Sequence, residues 1–153
     1  MKITESFKST FDRGWGFLMQ VIEVCPDDLW VKKSGGYFFW QQLFHHFALM
    51  DFFIMPKDGV IENYNVVMLK TEPQFTMSKE EVKNFAAKMK EKTDKWIDSL
   101  DDESLLPVHE GLSARRGYTV TYATALSALI AHIYYHIGAC DSILRENGLK
   151  GVW

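Results

Sequence analysis

The segment Ala131-His132-Ile133-Tyr134-Tyr135-His136 carries two imidazoles four residues apart. On a helix, positions i and i+4 share one face one turn apart, so both rings reach a common point and can hold one metal ion. Neutral imidazole nitrogens suit Zn, Ni, Fe or Mn, and a set of three leaves coordination positions for water or substrate. No Glu stands inside the pair, which excludes the H-E-x-x-H arrangement of a zinc protease. A third donor is available from His45 and His46 in a second, strongly apolar segment, where a buried imidazole must find a partner. Adjacent residues on a helix point about 100° apart, so one of these two joins the set. The apolar arc Trp40, Leu43, Phe47, Met50 and Ile54 lies nearer His46, but Phe38, Phe44, Phe52 and Phe53 fill the other arcs, and periodicity leaves both histidines open. The competing structural reading has these imidazoles satisfied as core residues by hydrogen bonds alone.

Around this set stand residues with secondary roles. Asp51 and Asp141 are candidates to accept the second N–H of a ligating imidazole, a contact that metal-bound histidines usually make. Arg115 and Arg116 offer a site for a carboxylate or a thiol cofactor at the mouth of the helices, against the plainer reading of a surface basic pair. His109 fits no ligand slot and reads as a solvated loop histidine. Asp12 and Glu110 are acids that nothing in the sequence selects as a base, and no catalytic residue is assigned. Cys25 and Cys140 are too few for a disulfide scaffold and read as small core residues.

The elements that must position these side chains are helical. A 3.6-residue apolar period runs from Thr4 to Val24 and ends at Pro26, followed by one short turn over Asp27 to Val31 and a loop at Gly35-Gly36. A second helix spans Tyr37 to Met55, apolar on most of its circumference and stopped by Pro56. Residues 56–77 read as a long ordered loop with a brief β-like run from Asn65 to Leu69, a type of segment that often borders a site. Ser78 and Glu81 form a capping box that starts a third helix at Lys79, with one apolar stripe and a solvated Lys/Glu face. Asp101 to Tyr118 read as a connection, and the last helix runs from Thr119 or Thr121 to Asn147 with Gly148 as its left-handed cap. Four amphipathic helices without a sheet predict an all-α fold, most simply a four-helix bundle, as a single domain over residues 1–153.

Composition removes several function classes. A chain of 153 residues with 47% hydrophobic residues buries one sizeable core. Lys plus Arg number 17 against 20 Asp plus Glu, and a net charge of -3 disfavours nucleic acid as a partner. No run of 18 consecutive apolar residues predicts a membrane span, and the opening residues lack the order of a signal peptide, so a cytoplasmic location is expected.

Two stretches carry a family likeness. Trp40-Gln41-Gln42-Leu43-Phe44-His45 with Asp51-Phe52-Phe53 resembles the second helix of DinB-like proteins, and His132-Ile133-Tyr134-Tyr135-His136-Ile137-Gly138 with Leu144-Arg145 and the tail Gly148 to Trp153 resembles their last helix and tail. The resemblance implies an up-and-down type bundle with a long crossover, a divalent metal held by His45, His132 and His136, and frequent homodimers. It implies no polymerase activity. Characterised relatives include thiol-dependent S-transferases, a maleylpyruvate isomerase and the metal-binding domains of sulfoxide synthases. The implied function is therefore metal-dependent transfer of a low-molecular-weight thiol to a small electrophilic molecule, or hydrolysis of one. The alternative is a non-catalytic metal- or small-ligand-binding bundle with a stress-related or interaction role.

Overall fold

The computed structural model describes residues 2–153, which are mostly helical. The elements in order are α1 (Ile3–Val24), α2 (Asp27–Trp30), a two-strand hairpin of β1 (Lys33–Ser34) and β2 (Tyr37–Phe38), α3 (Phe39–Ile54), α4 (Tyr64–Val67), α5 (Lys79–Asp98), a 3-10 turn (Glu103–Leu105), α6 (Glu110–Arg116) and α7 (Tyr122–Glu146). The four long helices are those the periodicity predicts, with ends within a few residues. Helix α1 packs on α7 and α5, and α3 packs on α5 and α7.

The predicted starts and stops have the expected causes. Ser78 Oγ accepts the Glu81 N–H at 3.2 Å, while the Glu81 carboxylate accepts the Ser78 N–H at 2.8 Å, closing the capping box of α5. Thr121 Oγ1 accepts the Thr124 N–H at 3.2 Å and starts α7. Gly148 has φ of 76°, a left-handed conformation that lets Leu149 N–H reach back to Leu144 carbonyl and end the helix. At 25 residues α7 is about 37 Å long, enough to run beside both α1 and α3. It meets the length and hydropathy of a membrane-crossing helix, yet its apolar residues Leu126, Leu129, Ile133 and Leu144 are buried against those two helices.

The near-circumferential hydrophobicity of α3 is explained by its place. It touches α5, α7, α6, α4, β2 and α2, and only Gln42 and Asp51 escape burial. A helix surrounded on so many sides cannot afford a polar face, so its hydrophobic pattern carries little directional information.

The connections hold more structure than their sequences suggest. The run from Asn65 to Leu69 is helical at its start rather than β-like, because Asn63 and Leu69 both take positive φ (52° and 56°) and pinch off a single turn, α4, that buries Val67. The segment 101–118 contains the 3-10 turn and α6, and the Gly35-Gly36 loop is the turn of the small hairpin. Helix α6 lies against the end of α3 so closely that a Cβ on Gly111 would stand 2.2 Å from the Met55 carbonyl oxygen. A glycine is required there by backbone contact.

Candidate metal centre

The α3/α7 packing brings His45 and His46 against His132 and His136, between two helices rather than in a loop. One ring nitrogen from each of His45, His132 and His136 lies within 4.8 Å of the others. His132 Nε2 and His136 Nε2 are 3.0 Å apart. Two nitrogens bound at about 2.0–2.1 Å to one ion, roughly 95–110° apart, would stand about 3.0–3.4 Å from each other, so this spacing suits a shared ligand role. His45 Nδ1 is held by the Val67 carbonyl, which fixes the ring and leaves Nε2 as the nitrogen with a free lone pair. His46 is not a member of this set. Its Nδ1 meets His132 Nδ1 at 3.2 Å, on the edge of that ring away from the Nε2 that faces His136.

Burial governs the electrostatics. His46 is 0% exposed, His136 2% and His45 9%, while His132 is half-buried. Desolvation first, then the neighbouring imidazoles His45 and, for His136, His132, push His132 down to about 3 and His136 to about 2. Burial also lowers His45, against the opposing pull of the Val67 carbonyl, and holds His46 far below the usual range. All four rings are neutral at physiological pH, the state in which an imidazole can donate to a metal. The site has a charged edge as well. Arg116 is exposed, its guanidinium lies 5.3 Å from the Phe52 ring centroid, and its positive charge contributes to the depression of His132. Among the described residues it has no ion-pair partner. These features fit a divalent cation: three neutral donors, one oriented by a backbone carbonyl, with partial exposure at His45 and His132 for a further ligand.

Other residues singled out by type lie elsewhere. Asp51 pairs with Lys92 at 2.5 Å on the α5 side of α3, so it accepts from no imidazole. Asp141 holds the C-terminal tail, accepting from Val152 N–H at 2.6 Å and from Arg145 Nε at 2.6 Å. Arg115 is a structural cap, its guanidinium donating to the carbonyls of Phe52, Met55 and Pro56 at 2.8, 2.6 and 2.9 Å. His109 is buried rather than solvated, because its Nδ1 accepts the Leu112 N–H at 3.1 Å and starts α6. Asp12 pairs with Lys90 at 2.8 Å, and Glu110 sits in the first turn of α6. Cys25 and Cys140 are buried free thiols, both pushed up to about 12 by desolvation. Sequence reasoning missed the Val67 carbonyl, since a backbone acceptor has no residue-type signature, and missed that His46 contacts His132 through Nδ1.

No family model matches the chain, and no curated protein matches it in sequence. Among solved structures, the crystal structure of a DinB-like protein from Bacillus cereus ATCC 10987 is similar over 98% of this chain and 95% of that one, with a TM-score of 0.66 at 15% identity. The fold is DinB-like.

Proposed function

We propose that this DinB-like fold carries a divalent-metal site formed by His45, His132 and His136, and that the site serves metal-dependent chemistry on a small electrophilic molecule with a low-molecular-weight thiol or water as nucleophile. The observation that carries the reading is the convergence of three neutral imidazole nitrogens from two packed helices within 4.8 Å. The four long helices and their pairwise packing support the finer reading as a four-helix bundle. A cation bound there supplies Lewis acidity, lowering the pKa of a thiol or water that joins it. The chain supplies the rest. The Val67 carbonyl orients His45, Phe53 packs with its ring centroid 5.6 Å from that of His132, and Arg116 places positive potential beside the partly exposed edge. That potential favours an anionic nucleophile or an acidic substrate approaching His132.

Elemental analysis of the protein purified without a histidine tag tests the site. About one equivalent of Zn, Ni, Fe or Mn in the wild type, lost in His132→Ala and His45→Ala, supports it. No metal even after reconstitution removes it. Loss of free thiol from a panel of low-molecular-weight thiols and electrophiles, dependent on metal, then tests the chemistry.

A second reading, a non-catalytic metal-binding bundle, is favoured by the depth of His46 and His136. It predicts a large melting-temperature loss on chelation with no turnover of any thiol.

A further inference from the structure

The contact between His46 and His132 assigns a role to the histidine that the ligand set leaves out. We propose that His46 is a positioning residue for His132: its Nδ1 accepts the Nδ1–H of His132, turning His132 Nε2 toward His136 Nε2. An uncharged imidazole thereby takes the place that a carboxylate usually holds behind a metal-bound histidine. The inference rests on the metal reading above.

The geometry is specific. His46 Nδ1 and His132 Nδ1 are 3.2 Å apart, their rings tilted by 31° with centroids at 5.1 Å, and His132 Nε2 is 3.0 Å from His136 Nε2 on the other edge. Two neutral imidazoles share one proton in each such contact, so the tautomers are linked. If His46 donated, His132 would accept at Nδ1 and carry its proton on Nε2, which would bar it from a metal. If His132 donates from Nδ1, its Nε2 lone pair is free and His46 must carry its proton on Nε2. Only the second arrangement is compatible with His132 as a ligand.

That arrangement has a cost visible in the structure. His46 Nε2 is buried without a hydrogen-bond partner, and His46 is 0% exposed. His109 Nε2 and His136 Nδ1 are buried without partners as well, so it is the Nδ1–Nδ1 contact with His132 that distinguishes His46. Among the described residues no carboxylate hydrogen-bonds these imidazoles: Asp51 and Asp141 are committed to Lys92 and to the tail. A neutral acceptor orients His132 without adding negative charge, which leaves the bound cation more electrophilic than a carboxylate-backed one.

The test uses the full-length zinc-loaded protein. Histidine 15N NMR of the wild type should show His46 unmetallated, with its proton on Nε2, and His132 with its proton on Nδ1. By competition with a chelator, His46→Leu should weaken zinc binding by about 10- to 100-fold. His46→Asn, whose Oδ1 stands where Nδ1 stood, should recover most of that loss, which a mere packing role would not produce. A zinc-bound signature on His46, a proton on its Nδ1, or His46→Leu with wild-type affinity overturns the inference while the three-histidine site stands. A wild type that takes up no zinc overturns both.

Discussion

Two buried imidazole environments lie within this chain and behave in opposite ways. At the α6 end, His109 is 3% exposed and its lone pair is spent on the Leu112 N–H, while its ring packs at a tilt with centroids 4.6 Å from Tyr122 and 5.9 Å from Trp96. Between α3 and α7, four imidazoles face one another: His46 Nδ1 meets His132 Nδ1, His132 Nε2 meets His136 Nε2, His45 Nδ1 meets one carbonyl, and among the described residues His46 Nε2 and His136 Nδ1 have no partner. Both environments lower the basicity of their rings by desolvation. Burial and a depressed pKa therefore do not separate a structural histidine from a candidate ligand. The direction of the lone pairs does: in one place it closes a helix start, in the other several converge on one point.

The largest effect expected from this contrast is on acid stability. His132 at about 3 and His136 at about 2 titrate well below the ordinary histidine value near 6.5 in the unfolded chain. As pH falls below about 6.5 the unfolded chain takes up protons that the fold refuses, so stability is full above that pH and declines until His132 protonates near 3 and His136 near 2. Each such histidine contributes about 1.4 kcal/mol per pH unit, roughly 5 kcal/mol for the pair between pH 6.5 and 4.5. Urea unfolding across that range measures it, and His132→Ala should flatten the slope by at least one histidine's share, since His132 also helps depress His136. An unchanged slope would mean that the cluster does not stay neutral. The next effect is metal linkage. Zinc at about 1,000 times its Kd should stabilise the wild type by about 4 kcal/mol and leave His132→Ala unmoved. A zinc-dependent rise in the melting temperature of His132→Ala equal to the wild type would place the ion elsewhere.

The sequence carried the four long helices because each signals itself locally: Ser78 and Glu81 at one start, Pro26 and Pro56 at two stops, Gly148 at the last end. His132 and His136 were legible for the same reason, since a four-residue spacing is a statement about one helix. The register in α3 was not legible from periodicity. A helix buried on nearly every side has almost no polar arc, and so the choice between His45 and His46 depends on where α7 and the α4 turn pack. His109 was misread as solvated because its burial comes from Trp96 and Tyr122, residues on two other helices, and its capping bond lies within a segment that looked like a loop. For Arg115 and the two aspartates the candidate roles fail for one common reason. A charged side chain states what it can bind, and only the fold states which carbonyl, lysine or tail amide is within its reach.

A smaller effect sharpens the His109 side of the comparison. His109→Ala removes the acceptor that starts α6 and should cost about 1–2 kcal/mol, in the range of lost helix caps. His109→Asn, a good capping residue, should restore part of it. Zinc affinity should be the same in all three proteins. A zinc affinity that falls with His109→Ala would join the two environments through α6 and the end of α3, where Arg115 ties Phe52, Met55 and Pro56.

The smallest expected effect concerns Asp141, which stands on the same helix as His136 but serves the tail. Its Oδ1 accepts the N–H groups of Val152 and Trp153 at 2.6 and 3.2 Å, its Oδ2 accepts from Arg145, and Arg145 Nη2 donates to the Trp153 carbonyl at 2.7 Å. The Trp153 ring then packs 4.9 Å from Phe17 and 5.7 Å from Tyr134, joining the tail to α1 and α7. Asp141→Asn keeps the size and one acceptor oxygen but removes the charge that strengthens these bonds, so about 1 kcal/mol or less should be lost. Amide hydrogen exchange at Val152 and Trp153 should quicken, because only the last residues depend on this carboxylate. Zinc affinity should hold. If it falls together with tail protection, Asp141 reaches the imidazoles after all, and the division between residues that hold the fold and residues that converge on the candidate site would have to be drawn one helical turn further along α7.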